Sequence, residues 1–325
     1  MLTVEQRGTP PAQPWTLDRR GGRVAGAEDD GRTAEIADGL RRSGWATATA
    51  GASDDDLDEV LSAVHDPGYL RYLETVSAQL PEGEYLVPGD RAAPGVVQDT
   101  PLQAGTYRAA REGARTALTA AAVVAEGGQA AYALCRPPGH HAGPAWLGGY
   151  CFLNNAAVAV EALAGHGRSP GVLDLDFHIG NGTAAILAGR PGRPYASVHA
   201  ATLEHYPWTD DLAGVCADLC FDMTRAPSEQ EYVTAVAELT RRLADEGTDT
   251  LVLSLGFDTL IGDPHGGWTL SPQVYGLVAE AVAAPGWPIC IVQEGGYRRG
   301  FLSECAAEFG QGLSGDLPGK RGAHG

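Results

Sequence analysis

The sequence predicts an α/β fold, a single domain built on a mostly parallel sheet with helices over both faces. Three observations carry this expectation. From residue 130 onward, strand-length apolar runs alternate with helix-length segments, the pattern of repeated β–α units. The runs are apolar almost throughout, as in Leu251-Val252-Leu253-Ser254-Leu255, which is how strands covered on both faces read. And 325 residues with 44% hydrophobic content, with no linker-like stretch, suffice for one large core.

In chain order, residues 1–31 are rich in Gly, Pro and charge and show no period, so a first strand, a long loop and loose ordering are expected there. Helices are expected over 32–45 and 54–78. Ser53 ahead of Asp54, Asp55 and Asp56 is a start signal: a hydroxyl accepts a free N–H, and acids sit at the positive end of the dipole. Residues 79–99 form a Pro- and Gly-bearing loop. An Ala-rich helix runs from Gly105 to Glu126, stopped by Gly127-Gly128. Beyond it, expected strands at 130–135, 171–176, 194–199, 250–255 and 288–293 alternate with expected helices at 151–165, 181–189, 228–246, 271–284 and 300–313. The Gly-rich tail, 312–325, is expected to be loose.

Composition narrows the function. A formal charge of −18 disfavours nucleic acid as a partner, because the phosphate backbone is repelled, and favours cationic substrates by steering. No apolar run reaches membrane-spanning length, and Met1-Leu2-Thr3-Val4-Glu5-Gln6-Arg7 lacks an apolar signal core, so no membrane association and a cytoplasmic location are expected. Six cysteines are scattered. Those inside apolar runs suit buried free thiols, and Cys216 and Cys220 have no matching pair for a zinc site, so neither a thiolate metal site nor a disulfide framework is expected.

The candidate chemistry follows strand ends. His140 and His141 stand after Arg136-Pro137-Pro138-Gly139, where a fixed pair of imidazoles can hold and pass a proton near neutrality. An incidental surface pair has the same sequence. Asp174, Asp176 and His178 lie at alternate positions in Val172-Leu173-Asp174-Leu175-Asp176-Phe177-His178 and share a face if the strand continues. Asp and neutral His are zinc ligands at about 2 Å, and so many polar groups at a buried strand end are costly without a cation. Helix capping is the plainer use of such acids. Asp258 ends another apolar run and supplies the third ligand; Asp263 and His265, just downstream, compete for that role. Tyr297, after Gly295-Gly296, can hydrogen-bond a developing oxyanion. No Gly-x-Ser-x-Gly elbow is present, which disfavours a serine nucleophile. In open α/β sheets ligands bind at the carboxyl ends of strands, and every one of these groups falls at such an end.

Taken together, Val64-His65-Asp66-Pro67-Gly68-Tyr69-Leu70, Arg136-Pro137-Pro138-Gly139-His140-His141-Ala142, Gly148-Gly149-Tyr150-Cys151-Phe152-Leu153-Asn154-Asn155, Asp174-Leu175-Asp176-Phe177-His178, Gly180-Asn181-Gly182-Thr183, Ser197-Val198-His199, Gly256-Phe257-Asp258-Thr259 and Glu294-Gly295-Gly296-Tyr297 resemble the zinc-dependent histone deacetylase superfamily, most closely its acetylpolyamine amidohydrolase branch. The resemblance implies an arginase/deacetylase-like three-layer α/β/α fold. It implies Zn2+, with Fe2+ or Co2+ able to use the same ligands, on Asp176, His178 and Asp258. It implies His141 as the main general base and acid, held by Asn181, and His140 as an electrostatic partner oriented by Asp174. Tyr297 takes the carbonyl oxygen and Gly149 offers its backbone carbonyl to the scissile amide. Tyr150 and Tyr206 match the aromatic channel walls. A structural K+ is implied near Asp174, Asp176, His178, Ser197 and Val198. Asp99, in Gln98-Asp99-Thr100-Pro101, matches the acidic residue that receives a distal ammonium in the polyamine branch; as a turn or capping residue it has a simpler use.

The chain departs from the pattern in places. Ile179 stands where most members carry a second His, and residues 27–32 lack the usual His-Pro-Glu-like entry. The segment 215–220 lacks the usual Gly/Asn-rich loop of a second potassium site. The loop between Glu74 and Asp99 is shorter than the one that builds a dimer-shared channel in the polyamine enzymes, so a homodimer is left open. The expected activity is zinc-dependent removal of an acyl group from a small cationic N-acyl amine. The alternatives are a protein lysine deacetylase, a non-catalytic amide-binding relative, and a two-manganese ureohydrolase, which needs more Asp and His at the strand ends than the sequence has.

Overall fold

A computed structural model describes residues 1–8, 11–209 and 219–316. The strands, in chain order, are β1 (Leu2–Glu5), β2 (Trp15–Leu17), β3 (Arg23–Ala25), β4 (Ala46–Thr49), β5 (Tyr85–Leu86), β6 (Leu102–Gln103), β7 (Ala130–Leu134), β8 (Pro170–Asp174), β9 (Tyr195–Ala200), β10 (Cys220–Met223), β11 (Thr250–Leu255) and β12 (Ile289–Gln293). The helices are α1 (Asp30–Arg42), α2 (Asp54–Val64), α3 (Pro67–Gln79), α4 (Thr106–Ala125), α5 (Asn155–Gly165), α6 (Asn181–Leu187), α7 (Glu229–Asp245), α8 (Val274–Ala283) and α9 (Leu302–Asp316).

Eight strands form one sheet in the order β10-β9-β8-β11-β12-β7-β1-β4, and every pairing in it is parallel. The pleat sorts side chains between two cores. The row Tyr195, Val172, Val252, Cys290 and Ala131 runs across five neighbouring strands and faces α2, α4 and α5. The next row, Ala196, Leu173, Leu253, Ile291 and Tyr132, faces α1, α7, α8 and α9. Both cores are mostly apolar, so the central strands read as nearly unbroken hydrophobic runs. The fold is therefore the expected three-layer α/β/α arrangement of the arginase/deacetylase type, built on a mostly parallel sheet.

Several boundaries differ from expectation for local reasons. The helix expected over 54–78 is two helices. Asp66 accepts from the N–H groups of Gly68 and Tyr69 as the cap of α3, and Pro67 takes the first position, where its missing N–H costs nothing. The helix expected from 151 begins at Asn155, because the Asn154 side-chain Oδ1 caps Ala157 N–H. Residues 1–31 supply the expected first strand, β1, inserted between β7 and β4, and, where a long loop was expected, the β2–β3 hairpin. The tail expected to loosen at 312 remains helical to Asp316, and residues 317–325 lie outside the described residues. Most of the segment read for a second potassium site, with Cys216, also lies outside them. Cys220 is disulfide-bonded, where no disulfide framework was expected, whereas Cys135, Cys151, Cys290 and Cys305 are free and buried, as expected for cysteines inside apolar runs. Among the described residues no helix is long and apolar enough to cross a membrane.

Candidate active site

Four adjacent strands, β8, β11, β12 and β7, end on one edge of the sheet, and the segment after each delivers part of the site. β7 leads to His140 and His141, β8 to Asp176 and His178, β11 to Asp258, and β12 to Tyr297. The strand carrying the first acids stops at Asp174, and residues 176–178 form a bend. The convergence of Asp174, Asp176 and His178 is therefore made by the turn, not by strand alternation as the sequence suggested.

The ligand atoms of Asp176, His178 and Asp258 all lie within 4.8 Å of one another. His178 Nδ1 is 3.3 Å from Asp176 Oδ1 and 3.3 Å from Asp258 Oδ2. The remaining carboxylate oxygens are held from behind: Phe177 N–H donates to Asp258 Oδ1 at 3.0 Å, and Gly295 N–H to Asp176 Oδ2 at 2.7 Å. Asp258 Oδ2 is buried with no hydrogen-bond partner. Burial and the charge of Asp176 push the Asp258 carboxyl up to about 7. Two buried carboxylates meeting at one orphaned oxygen call for a cation, and the donor set of two Asp and one His suits zinc with positions left open. Burial lowers the His178 imidazole, but the closeness and charge of Asp176 and Asp258 prevail and raise it to about 9, so a proton and a metal ion compete for the same nitrogen. Backbone crowding supports the same reading. A Cβ at Gly295 meets Asp258 Oδ2 at 2.5 Å and Asp176 Oδ2 at 2.6 Å, so only glycine lets the strand end approach the ligands. Asp263 and His265 are not part of this group: Asp263 Oδ2 accepts the N–H groups of Tyr297 and Arg298, fixing the tyrosine's backbone.

The histidine pair sits beside the ligands with ring centroids 4.0 Å apart. His140 Nδ1 is 3.1 Å from Asp174 Oδ2 and His141 Nδ1 is 2.8 Å from Asn181 Oδ1, which leaves each Nε2 toward the cavity side. Burial opposes charge on both rings. At His140 the carboxylates of Asp176, Asp174 and Glu294 overcome it and raise the imidazole to about 10. At His141 burial is reinforced by the charges of His140 and His178, and the ring is held well below its ordinary value. The surroundings thus favour charge on His140 and disfavour it on His141.

A cavity of about 260 Å³ opens over these groups. Tyr206 packs its ring 4.5 Å from His141, and Tyr150, His265 and Tyr297 form the opposing aromatic wall, with Tyr150 and Tyr297 centroids 5.8 Å apart. Tyr150 has φ 66° and Gly149 φ 54°, a left-handed pair that turns the backbone sharply at the cavity edge. Asp99 lies in the same cavity. Its Oδ1 accepts from Gly149 N–H at 2.9 Å and Thr100 Oγ1 at 2.8 Å, and burial raises its carboxyl to about 6. Of the residues assigned to potassium, Asp174 pairs in register with Ser197, and Val198 next to it belongs to the core.

Several contributors carry no local signal in the sequence. Thr16, Leu17, Asp18, Arg19 and Val24 of the β2–β3 hairpin line the cavity mouth. Arg32, fully buried, donates to the carbonyls of Glu294 and Gly296 at 2.6 Å each and lies 4.3 Å over the Tyr297 ring. Tyr195 OH donates to Asp174 Oδ2 and accepts from Gly180 N–H, both at 3.0 Å. None of these has a local motif; each acts across a long stretch of chain.

Comparison with known proteins agrees with this geometry. The model of the histone deacetylase domain matches residues 27–313. The chain is 37% identical over 275 residues to an acetylpolyamine amidohydrolase of Burkholderia pseudomallei, covering 77% of this chain and 81% of that one. It is 36% identical over 267 residues to the acetylpolyamine amidohydrolase of Mycoplana ramosa, covering 74% and 78%. The crystal structure of an acetylpolyamine aminohydrolase from Burkholderia pseudomallei superposes with a TM-score of 0.86 at 33% identity, over 97% of this chain and 98% of that one.

Proposed function

The chain belongs to the histone deacetylase domain family, and on that premise we propose that it is a zinc-dependent amidohydrolase that removes an acetyl group from the amine of a small cationic metabolite of the acetylpolyamine kind. The metal reading rests on the orphaned, buried Asp258 Oδ2 facing Asp176 and His178. The substrate class rests on one observation: a buried carboxylate, Asp99, shares the cavity with the ligands. A cationic amine entering that cavity gives the carboxylate the partner that offsets its burial. Relatives at 36–37% identity that are named acetylpolyamine amidohydrolases support the same class.

Zinc held by Asp176, His178 and Asp258 supplies Lewis acidity toward an amide carbonyl and a water. The protein's residues supply the rest. His141, neutral and anchored through Nδ1 to Asn181, takes a proton at Nε2 and returns it to the leaving amine. His140, anchored to Asp174, carries positive charge beside it and stabilises negative charge in the transition state. The Tyr297 hydroxyl donates to the developing oxyanion, its backbone pinned by Asp263. The Gly149 carbonyl orients the scissile N–H, and Tyr150 and Tyr206 exclude water around the acyl-amine stem. A structural potassium ion beside Asp174 and Ser197 completes the proposal; Tyr195 and the main-chain bends already hold the acids there.

Acetate release from acetylated diamines, acetyl-lysine peptides and uncharged N-alkyl acetamides tests the reading. The expected order is diamines above peptides above neutral amides. Higher turnover on peptides than on diamines transfers the assignment to the lysine deacetylase class, and no release from any of them by zinc-loaded protein removes it.

A further inference from the structure

Glu294 is a fully buried carboxylate that the reaction outlined above does not use. It follows β12, immediately before the Gly295-Gly296-Tyr297 turn. Its side chain does not point to the metal ligands. Oε2 accepts from the N–H of Gly139 at 2.7 Å and from the N–H of His140 at 3.1 Å, and Oε1 accepts from Ser254 Oγ at 3.1 Å. Two successive backbone N–H groups converging on one oxygen form an anion-binding nest, and here the anion is supplied by the chain itself from 155 residues away. His140, Cys151 and Glu294 also bring possible ligand atoms within 4.8 Å. This is no metal site: the carboxylate already takes three donors, and His140 Nδ1 is committed to Asp174.

We propose that Glu294 is a positioning residue that fixes the His140–His141 pair from its backbone side. Asp174 and Asn181 hold the two rings by their Nδ1 atoms, but a ring anchored only at its tip still swings with its main chain. Glu294 clamps the main chain at the residue where the pair begins and ties it to Ser254 on β11, the strand that leads to Asp258. The clamp therefore sets the distance between the imidazoles and the metal ligands. It acts chiefly by hydrogen-bond geometry, its charge only adding to that of Asp176 and Asp174 beside His140.

Three substitutions separate these possibilities. Glu294→Gln is nearly isosteric: its carbonyl oxygen can take both N–H groups while its NH2 donates to Ser254, whose hydroxyl turns to accept. Glu294→Met fills the volume and offers no acceptor. Glu294→Asp keeps the charge but falls one methylene short. Glu294→Gln is expected to restore kcat to within about fivefold of wild type, whereas Met and Asp lower kcat by roughly 30-fold or more with KM within about threefold, since a displaced base acts on the transition state and not on binding. Bound zinc per chain stays at the wild-type value in all three. The kinetic arm rests on the deacetylase reading, so amide hydrogen exchange at Gly139 and His140 is measured as well, on the zinc-loaded proteins. Exchange is expected to quicken by about 30-fold or more with Met and Asp and by less than about fivefold with Gln. If wild type turns over no acetylated amine, the functional reading fails while the exchange data still decide the clamp. Unchanged exchange and kcat in Met and Asp overturn the clamp. So does a Gln variant as impaired as Met, which assigns the effect to charge, or a loss confined to KM. Should the Met variant not fold, the Asp and Gln pair decides in the same way.

Discussion

At the residue scale, the site is a set of side chains held by specific partners, and substitutions should act through those partners. Tyr297→Phe removes the one hydroxyl assigned to the oxyanion. It should lower kcat by roughly 10²–10³ with little change in KM, in steady-state kinetics on an acetylated diamine. Asp99→Ala should cost about 10- to 100-fold in kcat/KM on diamines, the worth of a charge-assisted hydrogen bond, and far less on neutral amides. Equal losses on both substrates would take Asp99 out of recognition and return it to its role of bonding Gly149 and Thr100. The chemistry-bearing residues were legible because titratable types at strand ends stand out against an apolar background. His140, His141, Asp176, His178, Asp258 and Tyr297 all come together at one cavity. Glu294, Arg32 and Tyr195 were not legible in role. A glutamate before Gly-Gly or a tyrosine in an apolar run has many uses, and the partners that decide among them are far off in sequence.

At the element scale, the site depends on how closely strand ends and turns approach. Gly295→Ala places a Cβ 2.5 Å from Asp258 Oδ2. Zinc affinity should fall by roughly 10- to 100-fold, measured by chelator competition, because the ligands must shift to make room. His65, after α2, is a second element-scale device. Its Nδ1 lies 2.9 Å from the Gly143 carbonyl and its Nε2 accepts from Asn154 N–H at 3.0 Å, so the neutral ring links the α2–α3 turn to the loop after the histidine pair. Burial lowers it from 6.5 to about 4. The unfolded chain therefore binds this proton first as pH falls. Stability supplied by the neutral ring is complete above pH 6.5 and is lost on going down toward pH 4, by roughly 3 kcal/mol. His65→Gln should flatten that part of the denaturation profile; an unchanged slope between pH 6.5 and 4 would refute the assignment. The central strands and long helices could be read because their apolar runs are long. β4 and β10 could not: Ala46-Thr47-Ala48-Thr49 and Cys220-Phe221-Asp222-Met223 are four residues each at the two sheet margins, where packing on one side suffices and the pattern fades. The α2–α3 break was written in Asp66-Pro67, a cap followed by a helix-start proline, and was missed because the apolar period continues across it.

At the scale of the whole molecule, a parallel sheet brings four carboxyl ends together in a chain whose net charge is −18. A diffuse negative field raises the encounter rate of cations. Raising salt from about 10 mM to 150 mM, where the Debye length shortens from about 30 Å to 8 Å, should lower kcat/KM several-fold for an acetylated diamine and leave a neutral amide unaffected. The fold class was legible from β–α alternation. The hairpin of residues 15–25, which walls the cavity mouth, was not, since short strands rich in Gly and charge carry no period. The most direct test of the central claim, one catalytic cation on Asp176, His178 and Asp258, is a zinc titration of metal-free protein followed by acetate release from an acetylated diamine. Activity should rise linearly and level off at one equivalent per chain, and Asp258→Ala should give neither tight binding nor turnover. Full activity without metal, or an Asp258→Ala variant that titrates like wild type, would contradict it.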